Sequence, residues 1–246
     1  MPSVLILGAT AGIGRALAAE FALHHCDLIL AGRDLEELRA ISADLTLRHG
    51  ISARAQSFDV LNFENMESAL ATCLAPAGDS LAGAVLSIGY LGDQEKAQND
   101  LNEARKILDT NFTGPVLALN LLAKHFEQRR KGFICALSSV AGDRGRESNY
   151  LYGSAKGGLT TYLQGLRNRL YHAGVRVITV KPGFVDTRMT YGRPKLFLVA
   201  APGAVARSIY NAVQRGKNVV YVPWYWRVIM LMVRAIPEGI FKKLHT

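Results

Sequence analysis

The feature that most constrains the fold is a glycine-rich loop between a short apolar run and an amphipathic run near the start of the chain. Residues 4–7 are aliphatic, residues 8–14 read GATAGIG, and residues 15–24 carry apolar side chains at helical spacing. This order predicts a strand, a tight loop and a helix whose N-terminus could hold a pyrophosphate. The sequence therefore predicts a dinucleotide site, although a tight turn without a ligand would also use these glycines.

Strand-like and helix-like segments alternate along the rest of the chain. Six further apolar runs are separated by segments long enough for helices: residues 27–30, 51–58, 81–88, 132–137, 176–180 and 218–222. The alternation predicts an α/β, single-domain Rossmann fold, with a doubly wound, mostly parallel seven-stranded sheet and helices on both faces. We expect residues 1–223 to form this domain and residues 224–246 to form a helical tail continuous with it.

The end of the second predicted strand bears on which dinucleotide would bind. An acidic residue there would bond the ribose 2′-hydroxyl, whereas an arginine accommodates a 2′-phosphate. Gly32 and Arg33 occupy this place. We therefore favour NADP(H), with NAD(H) as the alternative if Arg33 is merely solvated.

A second group of polar residues lies where the fifth predicted strand is followed by a helix. Residues 149–171 have helical length and spacing, which would put Tyr152 and Lys156 one turn apart on one face. Ser139 follows the apolar run, so its hydroxyl would emerge at the C-terminal end of a strand, where ligands bind. A phenol beside an ammonium is suited to proton transfer, because the cation favours the phenolate.

Two other features of the sequence, an asparagine and a second Tyr-x-x-x-Lys pair, could be either functional or structural. Asn111 lies inside a long helical pattern at residues 103–130 and is either part of the site or a structural residue beside a kink at Gly114 and Pro115. A second Tyr-x-x-x-Lys pair, Tyr191 and Lys195, contains Pro194, which would break the helix that the pair requires. We expect only the first pair to be catalytic.

Taken together, these segments resemble the nicotinamide-dependent short-chain dehydrogenases/reductases. The matching segments are GATAGIG at 8–14, Asp59-Val60, Asn111, Ser139, YGSAK at 152–156 and PGFVDT at 182–187. The resemblance covers nearly the whole chain and implies reduction of a ketone to a secondary alcohol by hydride transfer. It implies that Tyr152 is the general acid, that Lys156 tunes the tyrosine and holds the nicotinamide ribose, and that Ser139 bonds the substrate oxygen. Asn111 would support a water relay behind the lysine.

The resemblance also implies cofactor contacts and an oligomer. The expected contacts are Gly8, Thr10, Ala11, Gly12, Ile13, Gly14, Arg33, Asp59, Val60, Ser87, Ile88, Gly89, Lys156, Val185 and Thr187. After the fourth strand the family commonly has Asn-Asn-Ala-Gly, whereas this chain has Leu86-Ser87-Ile88-Gly89, so we expect backbone contacts there. A homodimer or homotetramer is expected by analogy.

A narrower resemblance concerns the substrate side. Residues 88–93, 138–146 and 228–244 are similar to those of bacterial reductases that act on the 2-keto sugar of decaprenylphosphoryl 2-keto-ribose. This implies a keto-sugar or another lipid-linked carbonyl as substrate, with Arg144 and Arg146 as candidates for meeting a phosphate. The alternative is a soluble reductase of ketoacyl, steroid-like or small carbonyl compounds.

Charge and composition bear on partners and location. The formal net charge is +9, but the basic residues are scattered and do not alternate with aromatic ones, so we expect no nucleic-acid partner. The apolar segment 224–236 holds Arg227 and Arg234 and is too short to span a bilayer. It is predicted either to lie in the interface of an anionic membrane or to pack on the core or on another subunit.

The cysteines and the N-terminal residues indicate a cytoplasmic protein. Cys26, Cys73 and Cys135 lie in apolar surroundings without metal-ligand spacing, so we expect reduced thiols and no metal site. The first residues lack the basic start and the long apolar run of a signal peptide. We predict a cytoplasmic protein, with peripheral contact to the inner membrane face as the alternative if the tail binds lipid.

Overall fold

The computed structural model describes residues 1–192 and 197–244 and contains one parallel sheet. Its strands are β1 (Ser3–Leu7), β2 (Asp27–Gly32), β3 (Ala53–Ser57), β4 (Leu81–Leu86), β5 (Phe133–Leu137), β6 (Arg176–Pro182) and β7 (Val219–Val222). They lie in the order β3-β2-β1-β4-β5-β6-β7, and every neighbouring pair is parallel. The predicted doubly wound fold is therefore confirmed.

Helices cover both faces of the sheet. In the described residues they are α1 (Gly12–Leu23), α2 (Leu35–His49), α3 (Met66–Leu74), α4 (Gln94–Ala97), α5 (Leu101–Leu108), α6 (Gly114–Arg129), α7 (Tyr150–Tyr171), α8 (Pro202–Gln214), α9 (Trp226–Ala235) and α10 (Glu238–Phe241). Strands β1 and β5 are buried along their whole length, because helices pack on both faces. Two separate apolar clusters form the core, one on each face of the sheet.

The strand order places a crevice next to the glycine loop. The chain leaves β1 towards β2 and β3 on one side and returns to add β4 on the other side. Loops that follow β1 and β4 therefore diverge at the C-terminal edge of the sheet, which leaves room for a ligand. The loop after β1 is the GATAGIG segment.

The long helical pattern at residues 103–130 is not one regular helix. Helix α5 ends at Leu108, the segment Asp109–Thr113 forms a π-helical turn, and α6 begins at Gly114. Pro115 stands in the first turn of α6, where its missing N–H costs no hydrogen bond. The predicted irregularity is thus present, and its form is a widened turn that contains Asn111 rather than a break at the proline.

The tail folds back onto the domain. Trp226 and Met230 of α9 are fully buried against Val140, which follows Ser139. The prediction that the tail packs on the core is therefore confirmed for one of its faces. Over residues 1–192 and 197–244, no helix combines the length and the hydropathy that a membrane crossing needs.

Candidate active site

The glycine loop has a backbone that only glycines allow. Gly8 adopts a φ of +86° and donates its N–H to the carbonyl of Ala31 at 2.8 Å. A Cβ atom at Gly14 would lie 2.2 Å from the carbonyl oxygen of Gly8, and one at Gly12 would lie 2.7 Å from Cγ2 of Thr187. The first turn of α1 therefore stays close to β1 and leaves its free N–H groups facing the crevice.

The crevice is a cleft with a volume of about 190 Å³. Nine of the predicted cofactor residues line it together: Gly8, Thr10, Ala11, Arg33, Asp59, Val60, Ser87, Ile88 and Gly89. It is also lined by Gly32, which stands beside Arg33 at the end of β2, and by residues that sequence reasoning missed as cofactor contacts, namely Phe58, Leu61, Tyr90, Lys106 and Thr110. Phe58 and Leu61 could have been predicted, because they flank the predicted pair Asp59-Val60. Lys106 and Thr110 are four residues apart, so helical spacing could have placed both on one face.

The remaining predicted cofactor residues stand behind or beside this lining. Gly12, Ile13 and Gly14 begin α1, and Val185 is a buried residue of the loop that follows β6. Thr187 contacts the position of Gly12, so the loop after β6 meets the glycine loop. Lys156 reaches the other side of the cleft, where its Nζ donates to the carbonyl oxygen of Ile88 at 3.3 Å.

Tyr152 and Lys156 lie together at the buried end of α7. The Lys156 Nζ is 5.8 Å from the centre of the Tyr152 ring, and it donates to the carbonyl oxygen of Leu137 at 3.1 Å. Ser139 caps the 3₁₀ turn Val140–Asp143, where its hydroxyl oxygen accepts from the N–H of Ala141 at 3.1 Å. The Ser139 hydroxyl proton remains available for a substrate oxygen or for the Tyr152 phenolate.

Burial controls the pKa values of this pair. It raises the pKa of the Tyr152 phenol to about 12, and a hydrogen bond with Ser139 opposes the shift. Burial also lowers the pKa of the Lys156 ammonium to about 7. In the unliganded protein the Lys156 amine is itself desolvated and bonds the carbonyls of Leu137 and Ile88. The expected lowering of the Tyr152 pKa depends on Lys156 together with the positive charge of oxidised nicotinamide, so it stays a prediction for the cofactor complex.

The lowered pKa of Lys156 makes the stability of the unliganded protein depend on pH. Between about 7 and the ordinary 10.5, the unfolded chain binds one more proton at this side chain than the folded chain. Relative to Lys156→Met, the free energy of unfolding of the wild type should therefore rise with pH, by up to about 1.4 kcal/mol per unit. Urea unfolding of both proteins between about pH 6.5 and 9.5 measures the slope. Lys217→Met, at an exposed lysine, is the control, and wild-type and Lys156→Met curves that stay parallel would contradict the assignment.

Asn111 is completely buried in the π-helical turn. Its Nδ2 donates to the carbonyl oxygens of Tyr90 at 2.5 Å and Ile107 at 2.7 Å, while its Oδ1 accepts from the N–H of Tyr90 at 3.1 Å. The side chain thus fixes the loop after β4 beside the lysine, because Oδ1 and the Lys156 Nζ both lie within 4 Å of a Cβ placed at Gly89. This contact is structural, and the water relay remains a prediction.

Comparison with known proteins decides the family. A family model described as short chain dehydrogenase matches residues 2–195. The chain belongs to the short-chain dehydrogenase family. It is therefore an oxidoreductase of this type.

Two relatives and one solved structure illustrate how far the likeness extends. An uncharacterized oxidoreductase of Mycobacterium tuberculosis is 34% identical over 241 residues, covering 98% of this chain and 96% of the relative. One from Streptomyces coelicolor is 36% identical over 245 residues, covering 98% and 95%. A short-chain dehydrogenase from Sphingobium yanoikuyae, solved in complex with NADPH, superposes with a TM-score of 0.85 at 23% identity and covers 99% and 96% of the two chains. At that identity the superposition shows the shared fold.

In this short-chain dehydrogenase, a buried carboxylate holds the loop after β4. Glu103 accepts from the Tyr90 hydroxyl at 2.8 Å and from the N–H of Asp93 at 3.2 Å. Gly92 has a φ of +66°, and a Cβ there would collide with Ile107. The loop from Tyr90 to Asp93 is therefore fixed against α5. Sequence reasoning missed Glu103, because its partners lie ten and thirteen residues away.

A second buried carboxylate holds the turn that begins at Ser139. Asp143 ends this turn, accepts from the Tyr221 hydroxyl at 2.7 Å, and forms an ion pair with Lys181 at the end of β6. The side chains of Asp143 and Lys181 are almost fully buried. The dehydrogenase thus ties the turn that begins at Ser139 to β6 and β7.

Arg144 has a different role from the predicted one. Its guanidinium donates to the carbonyl oxygens of Val233, Arg234 and Ile236 at 2.6–3.1 Å and pairs with Glu238 at 2.9 Å. It also lies 3.9 Å from the centre of the Phe241 ring. The prediction that Arg144 meets a phosphate is therefore wrong, since these groups already occupy the guanidinium. Arg146 is partly buried next to Met230, so it is also turned towards the tail.

Three further expectations concern the second Tyr-x-x-x-Lys pair, the cysteines and metal binding. Pro194 and Lys195 of the second Tyr-x-x-x-Lys pair lie outside the described residues, so its exclusion remains a prediction. The three cysteines are free and buried. Within residues 1–192 and 197–244, no cluster of His, Cys, Asp and Glu has the geometry to hold a metal ion.

The cleft fits a dinucleotide on structural grounds. The close contact of Gly14 with Gly8 leaves backbone N–H groups where a pyrophosphate would need them. The Thr110 hydroxyl oxygen is buried at the cleft and finds no hydrogen-bond partner among the described residues. Such an atom is costly unless a ligand or water bonds it. The glycine loop and the lining of the cleft therefore suit a dinucleotide.

Proposed function

We propose that this protein is an NADPH-dependent reductase that converts a ketone to a secondary alcohol. The observation that carries the proposal is the group formed by Ser139, Tyr152, Lys156 and Asn111 at the inner end of the glycine-lined cleft. A binding protein that only senses the nucleotide would need the cleft, but it would not need a buried phenol, amine and hydroxyl side by side.

The proposed chemistry assigns one task to each side chain. NADPH, when bound, supplies the hydride that reduces the carbonyl carbon. Ser139 donates a hydrogen bond to the substrate oxygen, and Tyr152 delivers its phenolic proton to that oxygen as negative charge develops. One hydride and one proton add across the C=O bond, so the product is the alcohol and the tyrosine is left as phenolate. In its protonated form Lys156, whose Nζ lies 5.8 Å from the centre of the Tyr152 ring, stabilises that phenolate, and solvent then returns the proton.

Arg33 supports the choice of NADPH. It is exposed at the rim of the cleft, and within the described residues it forms no ion pair, whereas the nearby Arg15 is already bridged to Glu37. We expect Arg33→Ala to raise the KM for NADPH by roughly 10- to 100-fold, because a charge-assisted hydrogen bond to the 2′-phosphate is lost. The KM for NADH should stay nearly unchanged. Steady-state assays with both cofactors measure the ratio. Arg39→Ala, also on the α2 side but outside this cleft, is the control. Equal effects on the two cofactors would contradict the role of Arg33.

The proposed substrate is a keto-sugar or another carbonyl carried on a lipid. The 3₁₀ turn Val140–Asp143 forms one wall of the site, which we call the substrate wall. The apolar helix α9 packs directly on this turn. Met189 covers the centre, since its Cε lies 3.5 Å from a Cβ placed at Gly89. Apolar side chains therefore surround a polar centre, which suits a substrate with a polar reacting group and an apolar carrier.

NADPH oxidation assays across a panel of carbonyl compounds test the proposal. The panel contains keto-sugars, free and linked to a polyprenyl phosphate, together with ketoacyl, steroid-like and small ketones. We expect the lipid-linked keto-sugars to give the highest kcat/KM. A preference for small free ketones would support the alternative of a soluble reductase, and no turnover of any carbonyl would overturn the activity itself.

Assembly and location complete the proposal. We infer a homodimer or homotetramer in the cytoplasm, with peripheral contact to the inner membrane face where a polyprenyl-linked substrate would reside. Light scattering of the purified protein and fractionation of cells test these two points.

A further inference from the structure

Helix α9 has two apolar faces, and residues 1–192 and 197–244 cover only one of them. Trp226 and Met230 are buried, and Ile229 and Val233 are partly buried, so these side chains form the inner face. Val228, Leu231, Met232 and Ala235 recur at helical spacing on the opposite side. On that side Val228 is 49% exposed, Leu231 69% and Met232 59%. Trp224, just before the helix, is 74% exposed. A helix that is apolar on both sides is expected to bury its outer face against a second apolar surface.

The exposed surface continues onto the loop beside the active site. Phe197, Leu198 and Val199 are each about half exposed. The Phe197 ring lies 5.6 Å from that of Trp226, and the hydroxyl of Tyr225 donates to the carbonyl oxygen of Leu198 at 3.2 Å. The loop that carries Val185 and Thr187 leads into this segment. We name the surface formed by residues 197–199, Trp224, Val228, Leu231 and Met232 the outer patch.

Unpaired cations lie beside the outer patch. Arg227 and Arg234 are seven residues apart and lie on one flank of α9 between its two apolar faces. Both are exposed, as are Lys242 and Lys243, and none of the four forms an ion pair within residues 1–192 and 197–244. The one acidic side chain of this segment, Glu238, is paired with Arg144. The segment therefore presents apolar side chains and an excess of positive charge.

We propose that the outer patch docks on an anionic lipid bilayer and brings the substrate entrance to the membrane surface. An exposed tryptophan, large aliphatic residues and flanking arginines match the acyl-chain boundary, the interface and the anionic headgroups of such a bilayer. Because Arg144 bonds the end of α9 to the substrate wall, docking holds that wall at the lipid surface. The inference rests on the proposed function only where it links docking to delivery of a lipid-borne substrate.

Vesicle flotation of the full chain tests the docking surface without any substrate. We expect the wild type to float with vesicles of equal parts phosphatidylglycerol and phosphatidylcholine at low salt, and to remain in solution with pure phosphatidylcholine. Leu231→Gln with Met232→Gln should weaken binding about tenfold or more, because two exposed apolar side chains no longer insert. Arg227→Gln with Arg234→Gln should weaken it roughly 30-fold at low salt and much less at high salt. Leu47→Gln, at an 87% exposed leucine of α2, should have no effect.

Tryptophan fluorescence adds an independent readout. The chain has two tryptophans, of which Trp226 is buried and Trp224 is exposed. Anionic vesicles should therefore shift the emission of the wild type to shorter wavelength, and Trp224→Phe should remove the shift.

Two results would overturn the proposal: failure of the wild type to float on the anionic vesicles, or equal loss of binding with Leu47→Gln. If the wild type does not float and Leu231→Gln with Met232→Gln forms a smaller oligomer, the outer patch is assigned to a second copy of the chain. Turnover of a water-soluble carbonyl, which these variants should leave unchanged, is measured in parallel. Floating of the wild type without turnover of any carbonyl in the panel would overturn the proposed function alone, and turnover without floating would overturn the docking surface alone.

Discussion

Replacement of Tyr152 by phenylalanine should lower kcat for carbonyl reduction by about 10²- to 10⁴-fold while leaving the Kd for NADPH within about twofold of the wild-type value. The phenyl ring fills the same buried space, so only the hydroxyl and its hydrogen bond with Ser139 are lost. The proton donor is removed and the cofactor cleft, which Tyr152 does not line, is unaltered. Stopped-flow reduction and fluorescence titration of NADPH measure the two quantities separately.

The same helix provides a matched control for this experiment. Tyr162 stands ten residues further along α7 and donates its hydroxyl to Asn120 at 2.8 Å, away from the cleft. Tyr162→Phe should therefore keep the wild-type kcat. If Tyr152→Phe retained the wild-type rate, the assignment of the proton donor would be wrong; if it lost NADPH binding as well, the role of Tyr152 would be structural.

Replacement of Gly14 by alanine should disable the cofactor cleft. The new Cβ would lie 2.2 Å from the carbonyl oxygen of Gly8 and 3.1 Å from the Cα of Ala9, and both of these are backbone atoms. Either β1 and α1 separate or the glycine loop changes shape. We expect a loss of about 1–3 kcal/mol in the free energy of unfolding, which is roughly 2–10 °C in Tm. NADPH should bind roughly 10- to 100-fold more weakly.

Gly165 allows the effect of the clash to be separated from the effect of the substitution itself. It also lies inside a helix, and a Cβ at this position has no atom within 4 Å. Gly165→Ala should match the wild type or gain up to about 1 kcal/mol, because alanine is the better helix former. A Gly14→Ala variant that melted with the wild type and bound NADPH normally would show that the loop can relax and that the close contact is dispensable.

The features that were predictable from the sequence are those whose signal is local. Tyr152 and Lys156 are four residues apart on one helix, so helical geometry alone brings them together. The glycine loop lies between a strand and a helix that are adjacent in the chain. The parallel sheet follows from the alternation of strands and helices, and nine of the predicted cofactor residues line one cleft because they follow strands that end at the same edge.

The features that could not be predicted depend on contacts between distant segments or on burial. Arg144 bonds carbonyls 89 to 92 residues away, and no local pattern distinguishes it from an arginine that awaits a phosphate. Lys181 and Asp143 meet only because β6 ends beside the turn that follows β5. The pKa values of Tyr152 and Lys156 in the unliganded protein depend mainly on desolvation, which the sequence does not report.

The bond between Arg144 and the end of α9 also has a consequence for the order of assembly during synthesis. The strands from β1 to β6 and the catalytic helix leave the ribosome before residues 233–238 are translated. At about 5–20 residues per second, the interval between Arg144 and its carbonyl partners is roughly 5–20 s. Throughout this time the turn after Ser139 lacks its outer support. The nascent domain can therefore complete its nucleotide cleft well before its substrate wall, and the wall closes only when the tail arrives.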